Sequence, residues 1–122
     1  MKRLLAALLL ILVTALPAFA VFSSKGQIPN GEPVEYRGLK ITEDGVNIII
    51  INRGDKTVKF SAACVFTYPS KKNQETGDFF IEEMTLGPKE QIPLTKLFLK
   101  GDAKLCRKAE SLRWTIYTLE EK

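Results

Sequence analysis

From Val58 to Tyr68 the chain reads VKFSAACVFTY, with Val58, Phe60, Ala62, Cys64, Phe66 and Tyr68 on one parity and Lys59, Ser61 and Thr67 on the other. Successive side chains of a strand point to opposite faces, so this alternation specifies a half-buried β-strand with Cys64 on the inward side. No helix accommodates the pattern, because a step of about 100° per residue would scatter the apolar set around the whole axis. The rest of the chain must supply neighbours for this strand and a layer that covers its apolar face.

Those neighbours are legible as further runs of period two. Val34, Tyr36 and Leu39–Ile41 suggest a first strand, with a bulge or kink at Gly38. Glu43-Asp44-Gly45 is a hairpin turn, since Asp-Gly tolerates the positive φ a tight turn needs. Val46 to Ile51 is apolar and β-branched apart from Asn47, the signature of a central strand buried on both faces. Asn52 to Lys56 turns the chain into Val58–Tyr68. Pro69 stops that strand, and 70–77 reads as a polar loop. Phe79–Leu86 and Gln91–Thr95 are expected strands, the second at a sheet edge because Pro93 cannot donate to a ladder.

Near the C-terminus the pattern changes. Asp102 is a candidate N-cap for a two-turn helix over Ala103–Ala109, which carries Cys106. Leu112, Trp114 and Ile116 then alternate with Arg113, Thr115 and Tyr117 in a closing strand that runs to about Leu119, before a solvated tail. The expected fold is all-β: a sandwich of six or seven antiparallel strands with one short helix before the last, spanning residues 34–122. A small closed barrel is the alternative.

The first twenty residues, MKRLLAALLLILVTALPAFA, are a different kind of segment. A basic start, an apolar run, Pro17 and the small residues of Ala18-Phe19-Ala20 match a secretory signal peptide cut after Ala20. The uncharged stretch 4–22 is also long enough to span a bilayer if it is retained. Residues 21–33, rich in Ser, Gly and Pro, read as a flexible leader. Loss of Lys2 and Arg3 lowers the formal charge from +4 to +2, sixteen basic against fourteen acidic residues, which weakens the case for a polyanionic partner. In an oxidising compartment the two cysteines, Cys64 and Cys106, are expected to form a disulfide; two separate buried thiols are the alternative.

The segments IIIIN (48–52), RGDKT, VKFSAACVFTY (58–68) and LGPKEQIPL (86–94) carry a resemblance. Their order is similar to the immunoglobulin-like modules of bacterial envelope proteins, and to the FxLYD family of small bacterial β-domains. Phe66-Thr67-Tyr68-Pro69 lacks the Leu and Asp of that family's namesake motif. The resemblance covers about half of the chain after residue 20 and implies an immunoglobulin-like sandwich. It names no role, because sandwiches host many unrelated functions.

Candidate functional residues are few. The chain has no histidine, and so lacks the commonest general base and metal ligand. Lys96, Lys100, Lys104, Arg107 and Lys108 form a basic segment that could meet anionic headgroups, acidic glycans or an acidic protein surface. The bland alternative is a solvated face. Glu43 and Asp44 with Asp55, or Glu82 with Glu83, are the only acidic groupings to weigh for glycoside hydrolysis, and they read as surface carboxylates. The cysteines lack the Cys-x-x-Cys spacing of thiol-exchange centres. Trp114 belongs to a core-facing alternation, and Ser70 beside Lys71 and Lys72 has no motif around it.

The sequence therefore points to an exported, periplasmic or secreted, non-catalytic binding module of the cell envelope. Its partner would be an envelope protein or an anionic surface, with no cofactor, metal or nucleic acid implied. Its contact surface would be the edge strand near Gln91–Thr95 or the basic 96–108 segment. Alternatives are a component of an envelope assembly tethered by an uncleaved N-terminal helix, and a small secreted hydrolase or inhibitor.

Overall fold

The computed structural model describes residues 21–72 and 74–122. The signal peptide and the tethering helix expected over residues 1–20 lie outside the described residues. Two antiparallel four-stranded sheets face one another. The first runs β1 (Gly26–Gln27), β2 (Val34–Thr42), β3 (Gly45–Asn52), β6 (Gln91–Leu97). The second runs β7 (Lys100–Gly101), β5 (Gln74–Leu86), β4 (Val58–Tyr68), β8 (Ser111–Glu121). One helix, α1 (Ala103–Arg107), precedes β8. This is an all-β sandwich-like architecture with a single short helix.

The alternating strand sits in the interior of its sheet. β4 pairs with β5 on one side and β8 on the other, and Phe60, Ala62, Cys64 and Phe66 are completely buried. Across the gap, Val34, Tyr36, Ile48 and Ile50 close the same core. The apolar run of β3 occupies an inner position between β2 and β6. Asn47, its one polar interruption, falls where the β3–β6 register shifts, and its Oδ1 accepts from the Lys96 amide at 3.1 Å. The bulge expected at Gly38 is present: β2 gains a residue against β3 between Arg37 and Lys40. Pro93 sits in β6, the edge of the first sheet.

Four expectations change. The loop 70–77 is shorter than its polarity implies, because β5 begins at Gln74, paired with Tyr68. Exposed edge strands do not need apolar residues, so polarity misplaces the boundary. The helix spans Ala103–Arg107 rather than reaching Ala109, although Asp102 caps it as expected by accepting from Lys104 N at 2.8 Å and Leu105 N at 3.2 Å. The closing strand runs past Leu119 to Glu121, which pairs with Val58.

The fourth change concerns residues 21–33, which are built into the sandwich. Ile28 is fully buried, and the Phe22 ring packs 5.2 Å from that of Phe66. Phe22 N donates to Ala109 O at 3.0 Å, Leu39 N to Ser24 O at 3.0 Å, and Tyr36 Oη to Ser23 O at 3.0 Å. Gly and Pro frequency suggested a leader, but Phe22 and Ile28 decide the outcome by burial.

The expected disulfide is also corrected. Cys64 and Cys106 are both buried free thiols. Cys64 faces the core from the middle of β4, opposite Phe79 and Trp114 in its own sheet. The Cys106 sulfur is carried by α1 rather than by a strand. It packs over Gly77, where a Cβ would come within 2.6 Å of it, and it lies 3.5 Å from the Thr76 hydroxyl. Each sulfur thus fills a different gap in the packing, as buried cysteine commonly does. Burial pushes the Cys64 thiol far above its ordinary pKa, and burial likewise raises Cys106 against the opposing Thr76 hydrogen bond. Neither is therefore a thiolate at neutral pH. A thiol-specific reagent at pH 7 should label neither cysteine in the native protein and both after denaturation without reductant. Failure to label the denatured chain would restore the disulfide.

Candidate functional site

A concavity lies along the open side of the sandwich, between β5 of one sheet and β6 of the other. Its volume is about 580 Å³. Phe79, Ile81 and Met84 of β5 and Leu94 and Leu97 of β6 supply apolar lining. Phe98 stands at the margin with 80% of its surface exposed, and Phe80 is 48% exposed. Lys96 and Lys100 contribute positive charge, and Asp78, Glu82 and Glu83 negative charge.

Local sequence explains this arrangement. β6 is kinked at Lys96, whose φ is 55°, stays paired to β3 through Leu97, and passes by Phe98 and Leu99 to the other sheet. There β7 meets the start of β5, pairing Gly77 with Gly101 and Asp78 with Lys100. The approach is too close for side chains. A Cβ on Gly101 would lie 2.6 Å from the Gly77 Cα, and one on Gly77 would lie 2.5 Å from Lys100 O. After Gly101 the chain turns into Asp102 and α1, whereas beyond Asp78 β5 continues along the groove.

The basic segment is divided by this path. Lys96 and Lys100 line the groove, whereas Lys104, Arg107 and Lys108 belong to α1 and its C-cap. Arg107 Nε donates to Ile41 O at 3.3 Å, which ties the helix to the end of β2. All five cations are exposed. The expected edge strand, by contrast, does form a wall of the groove, as β6.

Glu43 and Asp44 occupy the turn before β3, and Asp55 the turn after it, so the eight-residue strand holds them at opposite ends, about 25 Å apart. Asp55 lies 3.4 Å from the Lys89 ammonium. Glu82 and Glu83 are neighbours at a bulge of β5, where the register against β4 shifts between Phe60 and Ala62. No grouping of three or more metal-ligating side chains occurs among the described residues.

Trp114 packs inward as its alternation implies, 5.3 Å from the Tyr36 ring and edge-on to Phe79 at 6.0 Å. The Ser70 hydroxyl donates to the Glu110 carboxylate at 2.7 Å, and Ser70 N adds a bond of 3.0 Å. These contacts hold the Glu110 carboxyl below its usual range. An exposed hydroxyl bound to a carboxylate in this way fastens the Pro69–Lys71 turn to the start of β8.

Phe80, Met84 and Phe98 escaped the sequence analysis. One signal was present: Leu97-Phe98-Leu99 is an apolar triplet between lysines in a stretch that turns. Comparison with family models, curated proteins and solved structures finds no match to this chain.

Proposed function

We propose that this chain is an exported, non-catalytic binding module of the cell envelope, an immunoglobulin-like sandwich that works by contact. The groove between β5 and β6 carries this reading. It joins an apolar lining to exposed Phe80 and Phe98 and to charges of both signs, the mixture typical of a recognition surface. The composition of residues 1–20 supports export, and the order of strands and turns over 48–94 supports the likeness to envelope modules. No helix among the described residues is long and apolar enough to cross a membrane.

Cell fractionation with intact-mass measurement tests the address. The expected product starts at Val21 and leaves the cell with the soluble envelope fraction. The full-length mass in the membrane fraction would replace this reading with a tethered component. A full-length chain in the cytoplasm would overturn it. The α1 cations are tested separately by reversing Lys104, Arg107 and Lys108 to Glu together. Unchanged retention on anionic vesicles would remove them as a contact surface.

A further inference from the structure

We infer that the free edge of β5 is a docking lane for an extended peptide segment of a partner, which adds to the second sheet as a strand bearing basic residues. This rests on the binding-module reading and specifies what is bound. The lane is already begun by the chain itself. β7 lies beside β5 at Gly77 and Asp78, and Asp102 N donates to Thr76 O at 3.2 Å. From Phe79 to Leu86, β5 has β4 on one side and, among the described residues, no strand on the other. Eight residues of edge, about 26 Å of chain, are therefore open to pairing. An unpaired edge presents a row of N–H and C=O groups, the template used when a peptide is added to a sheet.

Two further features select the occupant. The edge opens into the groove, so alternate side chains of an added strand would enter an apolar space beside Met84, Leu94 and Phe98. Phe98, at the margin of this groove, is left largely uncovered by the protein's own core. Charge then decides between a second copy and a different partner. Glu82 and Glu83 lie at the middle of the Phe79–Leu86 edge. Antiparallel pairing of two copies about that centre would set these glutamates against their own counterparts, and like charges directly opposite are destabilising. Acidic residues at a bulge thus guard the edge against self-pairing while favouring a strand that carries Lys or Arg there. The edge of β6 is the poorer template, since Pro93 lacks an N–H and Lys96 breaks the extended conformation.

The test uses the purified protein and a synthetic peptide, acetyl-Thr-Val-Lys-Val-Lys-Val-Lys-Val-Thr-amide. Amide chemical-shift changes and new hydrogen-exchange protection should concentrate in Phe79–Leu86 and Leu94–Phe98. Replacing the peptide lysines with glutamates should weaken binding about tenfold, the scale of a few reversed cross-strand charge pairs. The double variant Glu82→Lys, Glu83→Lys should invert that preference, and both positions are exposed, so the fold should be kept. Prolines at the fourth and fifth residues of the peptide should abolish protection of the β5 amides, because they remove a ladder donor whichever parity faces β5. Shifts confined to other surfaces, indifference to peptide charge or self-association through β5 would each overturn the inference. These outcomes are independent of cellular address, so a failed lane leaves the export test intact, and failed export leaves the lane to stand or fall by itself.

Discussion

A chain that begins at Val34 should fail to fold at 25 °C, whereas one that begins at Val21 should unfold cooperatively. The deletion removes Ile28, which is fully buried, and uncovers Phe66 where Phe22 now packs. Burying one side chain of this size contributes about 1.5–3 kcal/mol. The deletion also strands Tyr36 Oη, Leu39 N and Ala109 O, whose partners are Ser23, Ser24 and Phe22. Each such loss costs on the order of 1 kcal/mol or more when the group stays buried. The total approaches the whole stability of an ordinary domain, about 5–15 kcal/mol. Denaturant unfolding followed by circular dichroism of the two chains checks this. The milder variant Ile28→Ala should cost about 2–5 kcal/mol. Matching midpoints for the two chain lengths would mean that 21–33 is merely draped over the surface.

Asn52→Ala should be the most damaging single polar substitution, lowering stability by about 2–4 kcal/mol. Asn52 is wholly buried at the end of β3. Its Nδ2 lies 2.8 Å from Lys56 O, 2.9 Å from Gly87 O and 3.2 Å from Leu86 O, and its Oδ1 accepts from Gly54 N at 2.9 Å. One amide therefore fastens the β3–β4 turn to the β5–β6 turn. Alanine leaves the carbonyls and the Gly54 amide without this partner. Asn52→Asp separates the donor from the acceptor role. A carboxylate still accepts from Gly54 but faces three carbonyl oxygens, so the ionised form is penalised and its folded pKa rises above the unfolded value. The protonated acid regains one donor. Stability of Asn52→Asp should then increase as pH falls through that raised pKa, opposite to the behaviour of a carboxylate in an ion pair. Urea unfolding across pH 4–8 reads the sign directly, and a flat profile would show that water reaches the site.

The strands were legible where one face is buried and the other wet. β4 and β8 show that alternation, and the apolar run of β3 announced an inner strand. Turns rich in Gly and Asp, Pro93 at an edge and Asp102 at a helix start each follow from local chemistry and were equally legible. What failed depended on long-range partners. β5 begins in polar residues because β4 pairs with them, and Ile28 is core because the two sheets leave a gap for it. The cysteine bond was inferred from compartment and count, but pairing depends on where each sulfur lies, which neither reveals. The groove was half visible. β6 was expected at an edge, but its wall opposite, β5, comes beside it only through the path of residues 97–101.

The order of strands in the second sheet has a consequence for the time at which the molecule becomes itself. β4 has an early neighbour, β5, and a late one, β8, whose register joins Val58 to Glu121. These residues are 63 positions apart, and that ladder uses nearly the last residues of the chain. Closing so long a loop adds little thermodynamic cost, since the penalty grows only as its logarithm, but such distant pairings form slowly. Until β8 arrives, the nascent chain keeps one flank of β4 unsealed. The eleven residues of β8 act as the latch of this sheet.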